Sequence, residues 1–148
     1  MEVRKATLED VHWIAQEMKI FADEYISDIP LYHSDEYIIN LIENIITNHV
    51  CYVAEDDTGL VGVVAGLVNK HIYNPDITQL IELVWWVPKD KRGTGAGKAL
   101  LDAYTAWGKK YAHWTVFSHA PNTPVGEEIF LKKGYKLLER NYFIERSL

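Results

Sequence analysis

The segment Val87-Pro88-Lys89-Asp90-Lys91-Arg92-Gly93-Thr94-Gly95-Ala96-Gly97-Lys98-Ala99-Leu100-Leu101 runs from apolar residues through three alternating glycines into helix-forming residues without a spacer. That order predicts a strand, a tight turn and a helix, and so an α/β chain. Glycine at positions 93, 95 and 97 permits positive φ angles and removes the Cβ atoms that would shield the backbone N–H groups. A helix start leaves about four N–H groups without helical partners and carries roughly half a positive charge. Arg92 and Lys98 add two cations. The segment therefore reads as a cradle for a phosphate-bearing ligand.

Two other phosphate loops do not fit. A Walker loop needs glycine where Arg92 stands and Ser or Thr where Ala99 stands. The dinucleotide fingerprint needs glycine at Lys98, and no acidic residue follows a second strand at the expected distance. What remains is Arg-x-x-Gly-x-Gly, with Val87-Pro88 upstream and Ala99-Leu100-Leu101 downstream. This pattern resembles the acyl-CoA loop of the GNAT superfamily of N-acyltransferases, and the rest of the chain is consistent with that family over nearly its whole length. The resemblance implies acetyl-CoA as cosubstrate and no metal. Its diphosphate would lie on Arg92, Gly93, Thr94, Gly95, Ala96, Gly97 and Lys98. Its pantetheine would lie along Trp85, Trp86 and Val87, where the family's sheet splays. Asn122, one position off the family spacing, is a further cofactor contact.

Charge narrows the partners. The 148 residues carry a formal net charge of −6 and contain no run of five basic residues, which argues against nucleic acid and anionic membranes and favours a cationic partner. With 48% apolar and 24% charged residues the chain has the composition of a folded domain rather than a disordered one. Cys51 is the single cysteine, so no internal disulfide forms, and its strand position predicts a buried structural thiol. The first residues lack a signal-type apolar run and no segment approaches 18 apolar residues, so a cytoplasmic location is expected.

One domain over 1–148 is expected, in the order β-α-α-β-β-β-α-β-α-β, a mixed sheet flanked by helices. Residues 3–5 predict a first strand. Thr7 and Asp10 form a capping box before a helix of roughly five turns, with Val11, Ile14, Ala15, Met18, Phe21, Ala22 and Tyr25 on one stripe. Ser34 caps a second helix bearing Tyr37, Ile38, Leu41, Ile42, Ile45 and Ile46. Strands follow over 50–54, 60–68 and 78–87. After the glycine loop, Ala96, Ala99, Leu100, Ala103, Trp107 and Tyr111 mark one helix face. A strand over 113–118, a helix over 123–133 and a last strand over 135–144 complete the chain.

Amine acetylation requires a neutral nitrogen, so an ammonium must lose its proton near the thioester. Glu82 is the only acid in the apolar run 80–87, where burial would raise its pKa, and some family members use a glutamate at this strand position. The other reading of Glu82 is a carboxylate on a polar face or paired with a lysine or arginine. The family often supplies a tyrosine from its last helix as acid for the leaving thiolate. Here that place holds Phe130, leaving Tyr135, Tyr142, Ser118 or water as substitutes. His71, His113 and His119 lack metal-ligand spacing and read as structural. The junction of the first two helices, where the family often builds its acceptor pocket, offers Glu24, Tyr25 and Asp28 to a cationic amine.

The expected function is therefore transfer of acetyl from acetyl-CoA to a small-molecule or peptide amine, directly within a ternary complex and without a covalent enzyme intermediate. The alternative is a non-catalytic acyl-CoA sensor or scaffold of the same fold. Dimers are common in the family, so a homodimer sharing the terminal strand stays open.

Overall fold

The computed structural model describes residues 1–24 and 29–146. Five strands, β1 (Glu2–Lys5), β2 (Val50–Asp56), β3 (Gly59–His71), β4 (Asn74–Trp86) and β5 (Trp114–Val116), form one sheet in that order. The first four are antiparallel neighbours, and β5 runs parallel to β4. Helices α1 (Val11–Glu24) and α2 (Asp35–Asn48) cover one face, where Val11, Ile14, Ile42 and Ile45 pack with Val53, Val63, Val84 and Trp86. Helix α3 (Ala96–Tyr111) covers the other, where Ala96, Leu100 and Tyr104 pack with Ala54, Val64 and Leu80. The mixed α/β sheet expected from sequence is thus present. Among the described residues no helix is long and apolar enough to cross a membrane.

Local chemistry sets the element ends. Asp10 accepts the Thr7 N–H at 2.8 Å and receives both terminal nitrogens of Arg4, tying β1 to the start of α1. Ser34 Oγ accepts the Tyr37 N–H at 3.2 Å and caps α2 as expected. Gly59, at φ +111°, closes the turn between β2 and β3. Gly108 lets α3 approach β5, since a Cβ there would stand 2.0 Å from Thr115 Oγ1.

Four expectations change. The ladder of β3 and β4 runs well past 68 and begins before 78: Asn69 pairs with Gln79 and Lys70 with Thr78. Residues that favour loops on their own are kept extended there by the hydrogen bonds of their strand partner. On α3 the buried stripe is Ala96, Leu100, Leu101, Tyr104, Thr105 and Gly108, one step round from the expected Ala99 and Ala103. The helix expected over 123–133 shrinks to α4 (Glu128–Leu131), because Pro121, Pro124 and Gly126 oppose helical backbone ahead of it. No strand forms over 135–144. Residues 135–146 have no regular structure, and Leu137, Leu138, Tyr142, Phe143 and Ile144 are exposed. The three-residue β5 is too short an edge to pair with a ten-residue strand, and strand backbone without a partner has no ladder to join.

Candidate active site

The sheet forks between β4 and β5. Pairing covers only Gln79–Trp114, Leu80–Thr115 and Ile81–Val116, after which β4 continues alone on that side to Trp86. On its other side β4 keeps its ladder with β3, but the register skips one residue: Ala65 faces Val84 while Gly66 faces Glu82. Leu83 is the extra residue, so the bulge falls at the fork. Its effect is visible in the packing. Leu80 packs on the α3 side whereas Val84 and Trp86 pack on the α1 side, although even spacing would put all three on one face. Opposite Gly66, Glu82 is thereby turned toward α3 and away from Val84 and Trp86.

Glu82 is half-buried at the apex of this fork, and its Oε2 accepts the Ser118 N–H at 3.3 Å. Burial pushes its carboxyl up to about 7, and the Ser118 hydrogen bond opposes that only in part. No lysine or arginine pairs with it among the described residues, so the paired-carboxylate reading is not what the structure holds. Tyr104 of α3 lies beside it, with the pKa of its buried phenol raised by burial and then by the Glu82 charge.

Beyond β4 the glycine turn adopts the expected geometry. Gly93 and Gly95 have φ of +80° and +90°, and a Cβ on Gly93 would meet nothing within 4 Å. The first bond of α3 joins the Ala99 N–H to the Gly95 carbonyl at 3.0 Å, so the N–H groups ahead of it have no helical acceptor. These are features of an anion cradle open to solvent, and they suit a diphosphate. Thr94 Oγ1 donates to the Lys91 carbonyl at 2.8 Å and steadies the turn. The two cations are more engaged than their sequence positions suggested. Arg92 Nε donates to the Val87 carbonyl at 3.0 Å while its guanidinium lies 5.0 Å from the centre of a Trp86 ring, and Lys98 pairs with Asp102 at 2.9 Å.

Trp85 and Trp86 point to opposite faces. The Trp85 indole donates to the Gly97 carbonyl at 2.9 Å and meets Phe117 and Phe130 edge-on. The Trp86 indole donates to Glu17 Oε2 at 2.7 Å on the α1 side and contacts Phe21. Val87 is half-buried beside Gly62 and Gly97. Asn122 is exposed in the segment between β5 and α4.

On the α1 side a cavity of about 220 Å³ is lined by Glu17, Ile20, Glu24, Trp86, Pro88, Lys89 and Asp90. Glu24, one of the expected acceptor contacts, pairs there with Lys89 at 3.1 Å. Tyr25 and Asp28 lie outside the described residues.

The substitutes for a thiolate acid sort themselves by contact. Phe130 is buried among Trp85, Phe117, His119 and Tyr135. Tyr135 shares a 2.8 Å hydrogen bond with Thr105 Oγ1, and burial raises its pKa. Tyr142 is exposed at 89%. His113 Nδ1 accepts the Thr78 N–H and His71 packs on Trp114, the structural roles expected of them. His119 Nε2 sits 2.7 Å from the Val125 carbonyl. Cys51 is buried, with its thiol pushed up to about 12 by burial, as expected for an inert residue.

Sequence reasoning passed over Tyr104, Gly66 and the Ser118 N–H. A tyrosine four residues after Leu100, in line with the buried stripe of α3, was the available signal; the Ser118 N–H has none, because backbone donors leave no mark on residue identity.

The model of the acetyltransferase (GNAT) domain family matches residues 47–137. Among solved structures, the chain is similar to a predicted acetyltransferase from Clostridium acetobutylicum, solved with acetyl-CoA, at 17% identity and TM-score 0.73, covering 97% of this chain and 95% of that one. It is similar to a ribosomal-protein-alanine N-acetyltransferase from Brucella melitensis biovar Abortus at 20% identity and TM-score 0.66, covering 99% of each chain. A transcriptional regulator from Bacillus halodurans shares 13% identity with TM-score 0.74, covering 98% and 99%. Comparison with curated proteins gives no match.

Proposed function

The chain belongs to the GNAT acetyltransferase family, and from that premise we propose that it transfers acetyl from acetyl-CoA to a primary amine, by direct attack within a ternary complex. The observation that carries this reading is Glu82 at the apex of the fork, with a carboxyl pushed up to about 7 and no basic partner among the described residues. A carboxylate with that affinity for protons takes one from an ammonium group near neutral pH more readily than an ordinary glutamate does. The amine nitrogen then bonds to the acetyl carbon and sheds its second proton as the carbon–sulfur bond breaks; the departing thiolate takes up a proton through solvent, and Glu82 releases its own to solvent.

The residues of the loop suit the acyl donor. The diphosphate would take the unpartnered N–H groups at 93–98, with Arg92 and Lys98 adding positive charge. The pantetheine would run along the unpaired edge of β4 toward Val87, with Trp85 and Asn122 as further contacts. The net charge of −6 supports a cationic acceptor, and Glu17, Asp90 and the Lys89-paired Glu24 give the cavity on the α1 side an acidic lining.

A second reading, acyl-CoA binding without turnover, is favoured by Phe130, which has no proton to give where the family often has a tyrosine. Calorimetry with acetyl-CoA, followed by thiol release with polyamines, aminoglycosides and peptide amines, separates the two. Binding with thiol release for one acceptor class supports transfer; binding with none across the panel supports the sensor.

A further inference from the structure

The fork apex is held by more than Glu82 and Ser118. Tyr104 is fully buried, and its hydroxyl donates to the Val116 carbonyl at 3.2 Å. Its ring meets Phe117 edge-on, with centroids 5.3 Å apart. Val116 is the last residue of β5 paired to β4, and Ser118, two residues on, is the donor to Glu82. One side chain of α3 therefore grips both residues that lead into that donor. Gly66, which faces Glu82 across the ladder, leaves the room it needs: a Cβ at 66 would stand 2.7 Å from the Tyr104 hydroxyl and 2.9 Å from the Ile81 carbonyl.

We infer that Tyr104 is a positioning residue for Glu82, acting through the Val116 carbonyl to hold the Ser118 N–H on the carboxylate. The hydroxyl itself is engaged with backbone, so it does not act on substrate. Across the ladder β3 presents Gly66, the segment after β5 presents the Ser118 amide, and α3 presents Tyr104, with Tyr135 behind it. With no basic group paired to Glu82 among the described residues, its proton affinity rests on the balance of burial against that one amide. Loosening residues 116–118 tips the balance toward the protonated acid.

The kinetic part of this inference rests on Glu82 being the base; the structural part does not. The test is a pH titration of the Glu82 side chain by carbon-13 NMR, assigned with Glu82→Gln, in the full chain and in Tyr104→Phe, which keeps the ring and removes the hydroxyl. The Glu82 midpoint should rise by about half a pH unit to one unit, a weakening short of the roughly one to two units that complete loss of a hydrogen bond to a carboxylate would give. The acid limb of kcat/KM should move with it, while KM for acetyl-CoA stays within twofold. Thr105→Val, the neighbouring change that cuts only the bond to Tyr135, should leave the midpoint in place. An unmoved midpoint in Tyr104→Phe, or an equal shift in Thr105→Val, overturns the inference. Should Tyr104→Phe not fold, Gly66→Ala pushes on the same hydroxyl and must raise the midpoint; an unchanged value in folded Gly66→Ala overturns it equally. A midpoint that rises while Glu82→Gln retains the parent rate supports the positioning role and removes Glu82 as base.

Discussion

Ser118 donates its backbone N–H to Glu82 Oε2 two residues beyond the last rung joining β5 to β4. The carboxylate is thus tied to both strands where they part. A ligand entering the opening meets an acid that is neither free to swing nor neutralised by a lysine or arginine among the described residues. The bulge at Leu83 makes this possible, because it aims Glu82 toward the α3 side while Val84 and Trp86 keep the core behind α1 closed.

Glu82→Gln should lower kcat/KM by about 10²–10⁴-fold, the usual contribution of a positioned base. Acetyl-CoA affinity, measured by calorimetry, should change less than twofold, since the diphosphate cradle lies elsewhere. A base at about 7 is active only when deprotonated, so the parent's kcat/KM at pH 6 should be about tenfold below its plateau. That limb should be missing from whatever activity the variant retains. Rates equal to the parent from pH 6 to 9 would rule Glu82 out.

The same raised pKa has a consequence for stability. A carboxyl that binds its proton more tightly in the folded chain favours folding fully below its unfolded value near 4.5, and loses that advantage as pH rises through about 7. Glu82→Gln, which cannot ionise yet still offers an oxygen to Ser118, should therefore melt above the parent at pH 8. At pH 4.5 the two should melt together. Each kcal/mol of difference would show as about 2–4 °C in Tm for a chain of this size. A pH-independent gap would mean the substitution acts by packing instead.

The glycine turn, the two capped helices and the apolar strands were legible because each is a local pattern: a backbone need at Gly93 and Gly95, an oxygen at Ser34, a continuous apolar run over the first five residues of β2. Glu82 was legible as the one acid in an apolar run. What the sequence could not display is relational. The Leu83 bulge is set by the pairing of β3 with β4, so it decides which way Glu82 faces without altering any residue type. Trp85 and Trp86 are adjacent and identical, and only the sheet sorts one to Gly97 and the other to Glu17. The expected strand over 135–144 had the right apolar content, but a strand also needs an edge, and β5 provides three residues of one.

Replacing the loop glycines one at a time should separate backbone conformation from ligand approach. Gly93→Ala and Gly95→Ala force an L-residue to φ of +80° and +90°, which costs about 1–2 kcal/mol although the space around Gly93 is open. Both should also weaken acetyl-CoA at least tenfold. Gly97 is helical, and a Cβ there makes ordinary contacts, the nearest with Trp85 at 3.5 Å. Gly97→Ala should therefore keep or raise Tm, since alanine gains roughly 0.5–1 kcal/mol over glycine inside a helix. Any loss of acetyl-CoA affinity in that variant then reports how near the diphosphate comes. Calorimetry and thermal melts on the three proteins check the contrast; affinity equal to the parent's in all three would place the diphosphate elsewhere.

Gly108 is the position where helix propensity and packing make opposite forecasts. Propensity alone favours alanine by about 1 kcal/mol, because Gly108 lies within α3. Packing opposes it: the new Cβ would sit 2.0 Å from Thr115 Oγ1 and 2.7 Å from Thr115 Cγ2, so α3 and β5 must move apart. Overpacking of this kind costs about 1–3 kcal/mol, and it should outweigh propensity and lower Tm. Thr115→Ala removes both atoms, leaving its own Cβ at 2.9 Å, so the double variant should recover part of the loss rather than add to it. The change should also reach the fork. Thr115 pairs with Leu80 in the middle of the short β5 ladder that delivers Ser118 to Glu82, so Gly108→Ala should depress kcat/KM more than it weakens acetyl-CoA binding. Melts of the two single variants and the double, with kcat/KM for each, test both halves. A more stable Gly108→Ala would mean that α3 does not seat against β5 as closely as the structure has it.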